Sequence, residues 1–105
     1  MADQVIAGHE VTVDDEGFMT EPGQWNEEIA AELAKNIAIE TLTEDHWKVI
    51  KWLREDFEAE GETATLRRVS TMGGVPTKQL YTLFPKKPAK KMSYVAGLPK
   101  PKGCV

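Results

Sequence analysis

The sequence predicts a mostly α-helical fold: a small domain of about five helices with a helix-turn-helix-like core, an N-terminal β-hairpin and a flexible C-terminal arm. Three observations carry this. Apolar residues recur at three- and four-residue spacing in successive segments from Trp25 onward. A stretch near the start, His9-Glu10-Val11-Thr12-Val13, alternates with a period of two. The end of the chain, LPKPKGCV, holds two prolines and cannot continue a helix. A length of 105 residues suits a single domain, expected over 1–97, with a mobile arm over 98–105.

Taken in order, residues 4–20 predict the hairpin, with Gly17 supplying a positive φ at its turn after Asp14-Asp15-Glu16. Pro22 and Gly23 then punctuate the chain. Trp25, Ile29, Leu33 and Ile37 form one helical stripe, with Asn26 as N-cap and Glu27 and Glu28 in the first turn. Residues 43–60 carry the strongest helix signal. Thr43 stands ahead of the apolar positions Trp47, Ile50, Leu53 and Phe57, and Gly61 stops the helix. A short helix is expected within 63–74, closed by Gly73-Gly74. Another is expected between Pro76 and Pro85, with Leu80, Leu83 and Phe84 on its apolar side. That pair resembles a helix-turn-helix. A last helix is expected over about 89–97, ended by Gly97.

The net charge of −4 conceals an asymmetry. All 17 acids fall within residues 1–62, beside only four bases, whereas residues 63–105 hold nine bases and no acid. Such a split points to an interaction surface or to one half folding back on the other. No apolar run approaches a membrane span, and the N-terminus lacks the basic and apolar regions of a signal peptide. A cytoplasmic monomer is expected. One cysteine and two histidines give neither a disulfide framework nor a zinc site, and no cofactor motif is present.

That one cysteine, Cys104, is the principal candidate for chemistry. It is penultimate in the chain, where a packing role has little to act on. Lys100 and Lys102 bring cations that favour thiolate over thiol, opposed by the α-carboxylate of Val105. The prolines extend the arm at ~3 Å per residue, enough to carry the thiol some 20 Å from the last helix. Arg67 and Arg68, on the helix after the long one, are candidates for contact with nucleic acid. His9 and His46 offer weaker signals, His46 being placed as a partly exposed residue in a first helical turn. The three tryptophans read as core.

At Tyr81, Leu83-Phe84-Pro85, Pro88-Ala89-Lys90, Ala96–Pro101 and Cys104, the sequence resembles the family of DsrC and TusE. These are the gamma subunit associated with dissimilatory sulfite reductase and the sulfur-relay protein of tRNA 2-thiolation. VDDEGFM, Gln24-Trp25, LTEDHWKVIKWLRE and Arg67 extend the resemblance over nearly the whole chain. It implies a compact helical fold with a hairpin and a C-terminal arm whose penultimate cysteine carries sulfur as a persulfide. Lys100, Lys102, Arg67 and Lys90 would support that thiol or dock partners. Those partners would be a TusBCD- or DsrEFH-like donor, and a tRNA thiouridylase or DsrAB-like sulfite reductase as acceptor. Relatives of the sulfite-reduction type carry a second cysteine eleven residues upstream, where this chain has Ser93. The segment STMGGVPTKQ is also shorter than its counterpart in both types. The expected function is thus a single-cysteine sulfur carrier, at most a sulfurtransferase. The alternatives are a helix-turn-helix-like nucleic-acid-binding regulator of sulfur metabolism, or an accessory subunit of a sulfite reductase.

Overall fold

A computed structural model describes residues 2–101. Two antiparallel strands, β1 (Ala2–Ile6) and β2 (His9–Val13), precede five helices: α1 (Glu27–Asn36), α2 (Glu44–Glu60), α3 (Leu66–Met72), α4 (Thr77–Leu83) and α5 (Pro88–Val95). The expected hairpin is present, but its turn lies earlier than the sequence suggested. Ile6 pairs with His9, and the two turn residues Ala7 and Gly8 have φ of 52° and 80°. Two consecutive positive φ values match the twist of the paired strands. Val5 and Ile6 interrupt no polar alternation, so β1 offered only a weak signal. The Gly17 turn is real but closes a smaller element, a single bridge from Val13 to Met19.

Capping defines the helix starts. The Asn26 side chain accepts from the Ile29 N–H, and Thr43 and Thr65 do the same for His46 and Arg68. Trp25 and Ile37, the outer members of the first expected stripe, fall outside α1 and flank it. Gly61 ends α2 with a φ of 76°.

Ile6, Val11, Val13, Met19, Ile29 and Leu33 seat the hairpin on α1. A larger cluster joins α2, α3, α4 and α5 through Val49, Ile50, Leu53, Val69, Leu80, Phe84 and Met92. The buried face of α2 therefore centres on Val49, Ile50 and Leu53. Trp47, Trp52 and Phe57 pack at its margins. His46 is buried, contrary to the partly exposed placement expected for it. Its Nδ1 accepts from the Thr43 N–H, which leaves Nε2–H to donate to the Leu83 carbonyl at 2.8 Å. Its ring also meets Phe84 edge-on at 5.2 Å. It is a structural tie between α2 and α4. Among the described residues, no helix is long and apolar enough to cross a membrane.

Candidate functional site: the root of the C-terminal tail

Lys102 and Cys104 lie outside the described residues, so the structure bears on the thiol through the segment that leads to it. The arm expected from residue 98 starts as packed chain. Leu98 is buried at 1% exposure, and its N–H donates to the Ser93 carbonyl at 3.1 Å. Pro101 is buried as well. Residues 96–101 belong to no helix or strand, yet their carbonyls still need partners.

Side chains from three other parts of the fold reach carbonyls at the end of α5 and in this segment. Trp25 donates its Nε1–H to the Val95 carbonyl at 2.9 Å. Arg54, on α2, donates to the Ala96 carbonyl at 2.7 Å and to the Pro22 carbonyl at 2.9 Å. Its guanidinium lies 4.2 Å from the centre of the Trp25 ring, a cation–π arrangement. Burial pushes the Arg54 pKa down, and Glu58 opposes the shift. Thr63, itself buried, donates its hydroxyl to the Pro99 carbonyl at 2.7 Å. Gly97 makes the close approach possible. Its φ is 70°, and a Cβ there would fall 2.2 Å from Trp25 Cδ1.

The last tie is ionic. Lys100 Nζ lies 2.7 Å from Glu16 Oε2, and Lys90 Nζ lies 3.8 Å from Glu16 Oε1. The Glu16 turn is built locally. Asp14 Oδ1 accepts the N–H groups of Glu16 and Phe18, and the Gly17 N–H donates to the Asp14 carbonyl. The hydrogen bond from Lys100, reinforced by the charges of Lys100 and Lys90, holds the Glu16 carboxyl below its usual pKa.

The sequence-predicted residues therefore separate. Lys90 and Lys100 converge on Glu16, so Lys100 is engaged by an acid in addition to standing near the thiol in sequence. Ser93 is wholly buried inside α5, its Oγ donating to the Ala89 carbonyl at 2.8 Å. It faces the core and not the tail's outer surface. Arg67 is exposed on α3, apart from this cluster. Arg68 is not available for nucleic acid in the way the sequence suggested. It grips Asp56 with two nitrogens at 2.7 to 3.2 Å and lies 3.5 Å from Glu60. Asp56 raises its pKa, against burial and with help from Glu60 and Glu62. His9 sits on the hairpin, 4.0 Å from Glu28. Among the described residues, no group of three histidine, cysteine or acidic side chains is placed to hold a metal ion.

Sequence reasoning missed Glu16, Trp25, Arg54 and Thr63 as parts of this site. Each makes its contact across 32 to 84 positions of sequence, and local periodicity carries no trace of such a pairing. The one local signal was the Asp14-to-Gly17 turn, which presents Glu16.

Comparison with known proteins bears on the whole chain. The family model described as "DsrC like protein" matches residues 5–105. Sulfurtransferase TusE of Escherichia coli (strain K12) is 38% identical over 109 residues, covering 96% of this chain and 98% of the relative. Sulfurtransferase TusE of Salmonella typhi is 36% identical over 108 residues, with the same coverage. Among solved structures, the DsrC/gamma subunit of dissimilatory sulfite reductase from Pyrobaculum aerophilum superposes with a TM-score of 0.81. It shares 38% identity, over 99% of this chain and 95% of that one. The oxidized gamma subunit (DsrC) from Archaeoglobus fulgidus gives 0.77 at 34% identity, over 99% and 100%. The fold, the match from residue 5 to the last residue and the relatives at these identities agree: the chain belongs to the DsrC-like family.

Proposed function

We propose that this protein is a sulfur-relay carrier that accepts a sulfane sulfur on Cys104 and passes it to another protein. The observation that carries the reading is a near-full-length relationship to sulfurtransferase TusE, within a family match that includes Cys104. Cys104 is the only thiol in the chain, so a carrier role has one place to reside.

The chemistry is balanced without a redox partner. The Cys104 thiolate attacks the terminal sulfur of a donor persulfide. One S–S bond forms, one breaks, and the donor leaves as thiolate while Cys104 becomes the persulfide. Discharge repeats the step with an acceptor thiolate as nucleophile. Nothing within one copy can expel the sulfur as sulfide by closing a disulfide, because Ser93 has no thiol to offer. Release is therefore intermolecular.

In this reading the supporting residues divide their roles. Lys100 and Lys90 fix the root of the tail through Glu16, and Lys102 contributes positive charge beside the thiol. Arg67, exposed on α3, is suited to meet an acidic partner. The donor is of TusBCD or DsrEFH type, and the acceptor is a tRNA thiouridylase or a sulfite reductase.

The test is loading. The full chain is incubated with inorganic polysulfide and its intact mass measured. Wild type should gain one sulfur atom and Cys104→Ser none. Equal gain in both would remove the thiol from the account.

A further inference from the structure

We propose that the exposed face of α4 and the corner that follows it bind a single-stranded stretch of nucleic acid, with Tyr81 stacking on an unpaired base and Lys78, Lys86 and Lys87 meeting its phosphates. This is a function separate from sulfur loading, and it does not rest on the carrier reading.

Folding neutralises the charge split only in part. Residues 63–105 hold nine bases and no acid, so a side-chain carboxylate that serves those bases comes from residues 1–62 or from another molecule. Arg68 takes Asp56 and Glu60, and Lys90 and Lys100 share Glu16. Lys91 donates to the Pro85 carbonyl at 2.6 Å. Lys78, Lys86 and Lys87 are exposed, and among the described residues their side chains meet no acid.

The fold sets these three lysines around one aromatic ring. Lys78, Tyr81 and Thr82 are exposed at spacings of three and four, which is one face of α4, while Leu80 and Phe84 are buried in the core. Tyr81 is 51% exposed. Lys78 precedes it by one turn, and Lys86 and Lys87 follow just past the end of α4. Cations that hold a phosphate backbone, with an aromatic ring among them for a base to lie on, are the combination that binds single strands. The corner has an unusual backbone. Lys86 and Lys87 have φ of 57° and 34°, left-handed values that side chains other than glycine seldom adopt. Such strain is retained where the residues it displays are used.

A base-paired duplex fits this surface less well. Its bases are stacked inside the helix and cannot lie on Tyr81. Arg68, the forked donor able to read a base edge from a groove, is held by Asp56. An acidic protein segment would satisfy the lysines but not need the ring, and the test separates it.

The full chain is titrated against a fluorescein-labelled oligouridylate of about twelve nucleotides, and binding is read by anisotropy. Affinity should fall about twentyfold between about 50 and 200 mM salt, the counterion release of three cations on a single strand. The double variant Lys86→Gln/Lys87→Gln changes only exposed side chains that meet no acid. It should weaken binding about tenfold and cut the salt dependence to about a third. Tyr81→Leu should weaken binding about tenfold, whereas Tyr81→Phe should match wild type, because the ring and not the hydroxyl stacks. Lys51→Gln, exposed on α2, should leave binding unchanged. A DNA strand of the same length shows whether the sugar matters, and tight binding of either strand supports the proposal. No binding at the lower salt overturns it, as does a duplex bound as tightly as the single strand, or a Tyr81→Leu variant that binds like wild type. Displacement of the strand by polyglutamate at equal charge would assign the surface to an acidic protein and overturn it too. Sulfur loading is not measured in any arm, so each of these failures leaves the carrier reading standing.

Discussion

The two ends of the described chain are held by different means. At the start, β1 is fixed by main-chain pairing to β2, and the hairpin is seated by an apolar cluster with Ile29 and Leu33 of α1. At the end, residues 96–101 have no strand partner, and individual side chains clasp the carbonyls of Ala96 and Pro99, next to the Val95 carbonyl that Trp25 holds at the end of α5. A ladder spreads its stability over many similar contacts, so no single polar group decides it. A clasped segment rests on a few polar contacts beside its own buried residues, here Ala96 and Leu98 in the main core cluster.

The comparison yields graded expectations. Leu33→Ala should have the largest effect, destabilising by about 2–5 kcal/mol. Hydrogen exchange should then rise mainly in the hairpin amides, and comparable loosening of 96–101 would contradict the separation of the two ends. Gly97→Ala comes next, at about 2–3 kcal/mol. The change puts a Cβ into the Trp25 ring and a side chain at a left-handed φ. A thermal melt reads it, and a stability equal to wild type would mean that the approach of Trp25 is not fixed. Arg54→Met removes the donors to Ala96 and Pro22 while keeping much of the volume, and should cost about 1–3 kcal/mol by denaturant titration. Trp25→Phe keeps the ring and loses the donor to Val95, with an expected cost of about 1 kcal/mol.

The smallest effect concerns pH. The Glu16 carboxyl is held below its ordinary value of 4.5, first by the hydrogen bond from Lys100. A depressed carboxylate pKa contributes stability that is present above the unfolded value and lost as pH falls through the folded one. The tie between Glu16 and Lys100 should therefore persist at neutral pH and loosen below about pH 4.5. In Lys100→Gln, NMR titration should find the Glu16 pKa moved up towards its usual value, with Lys90 still holding part of the shift. No movement would show that Lys100 is not its principal partner.

Much of the fold was legible in the sequence because helices advertise themselves locally. Asn26, Thr43 and Gly61 marked helix ends correctly, and the apolar spacing within 43–60 and 77–84 located α2 and α4. The hairpin was legible in kind but not in register. HEVTV alternates and became β2, whereas β1 shows too little polar alternation to announce itself, and Gly17 drew the turn to the wrong place. Of the candidate site, the sequence offered the thiol and its neighbouring lysines. It could not offer Glu16, Thr63 or Arg54, whose contacts exist only once distant segments are packed together. Nor could it foretell that Ser93 would be sealed within α5, since a serine followed by Tyr-Val-Ala reads equally well on either face of a short helix.

The central claim is that sulfur resides on Cys104 and leaves only to another molecule. A radiolabelled sulfane sulfur donor, removed after a single round of loading, tests it most directly. The account predicts label on wild type and not on Cys104→Ser, retained on the isolated chain and discharged when an external thiol is added. Equal label on both proteins, or loss of label as sulfide from a wild-type monomer without added thiol, would contradict it.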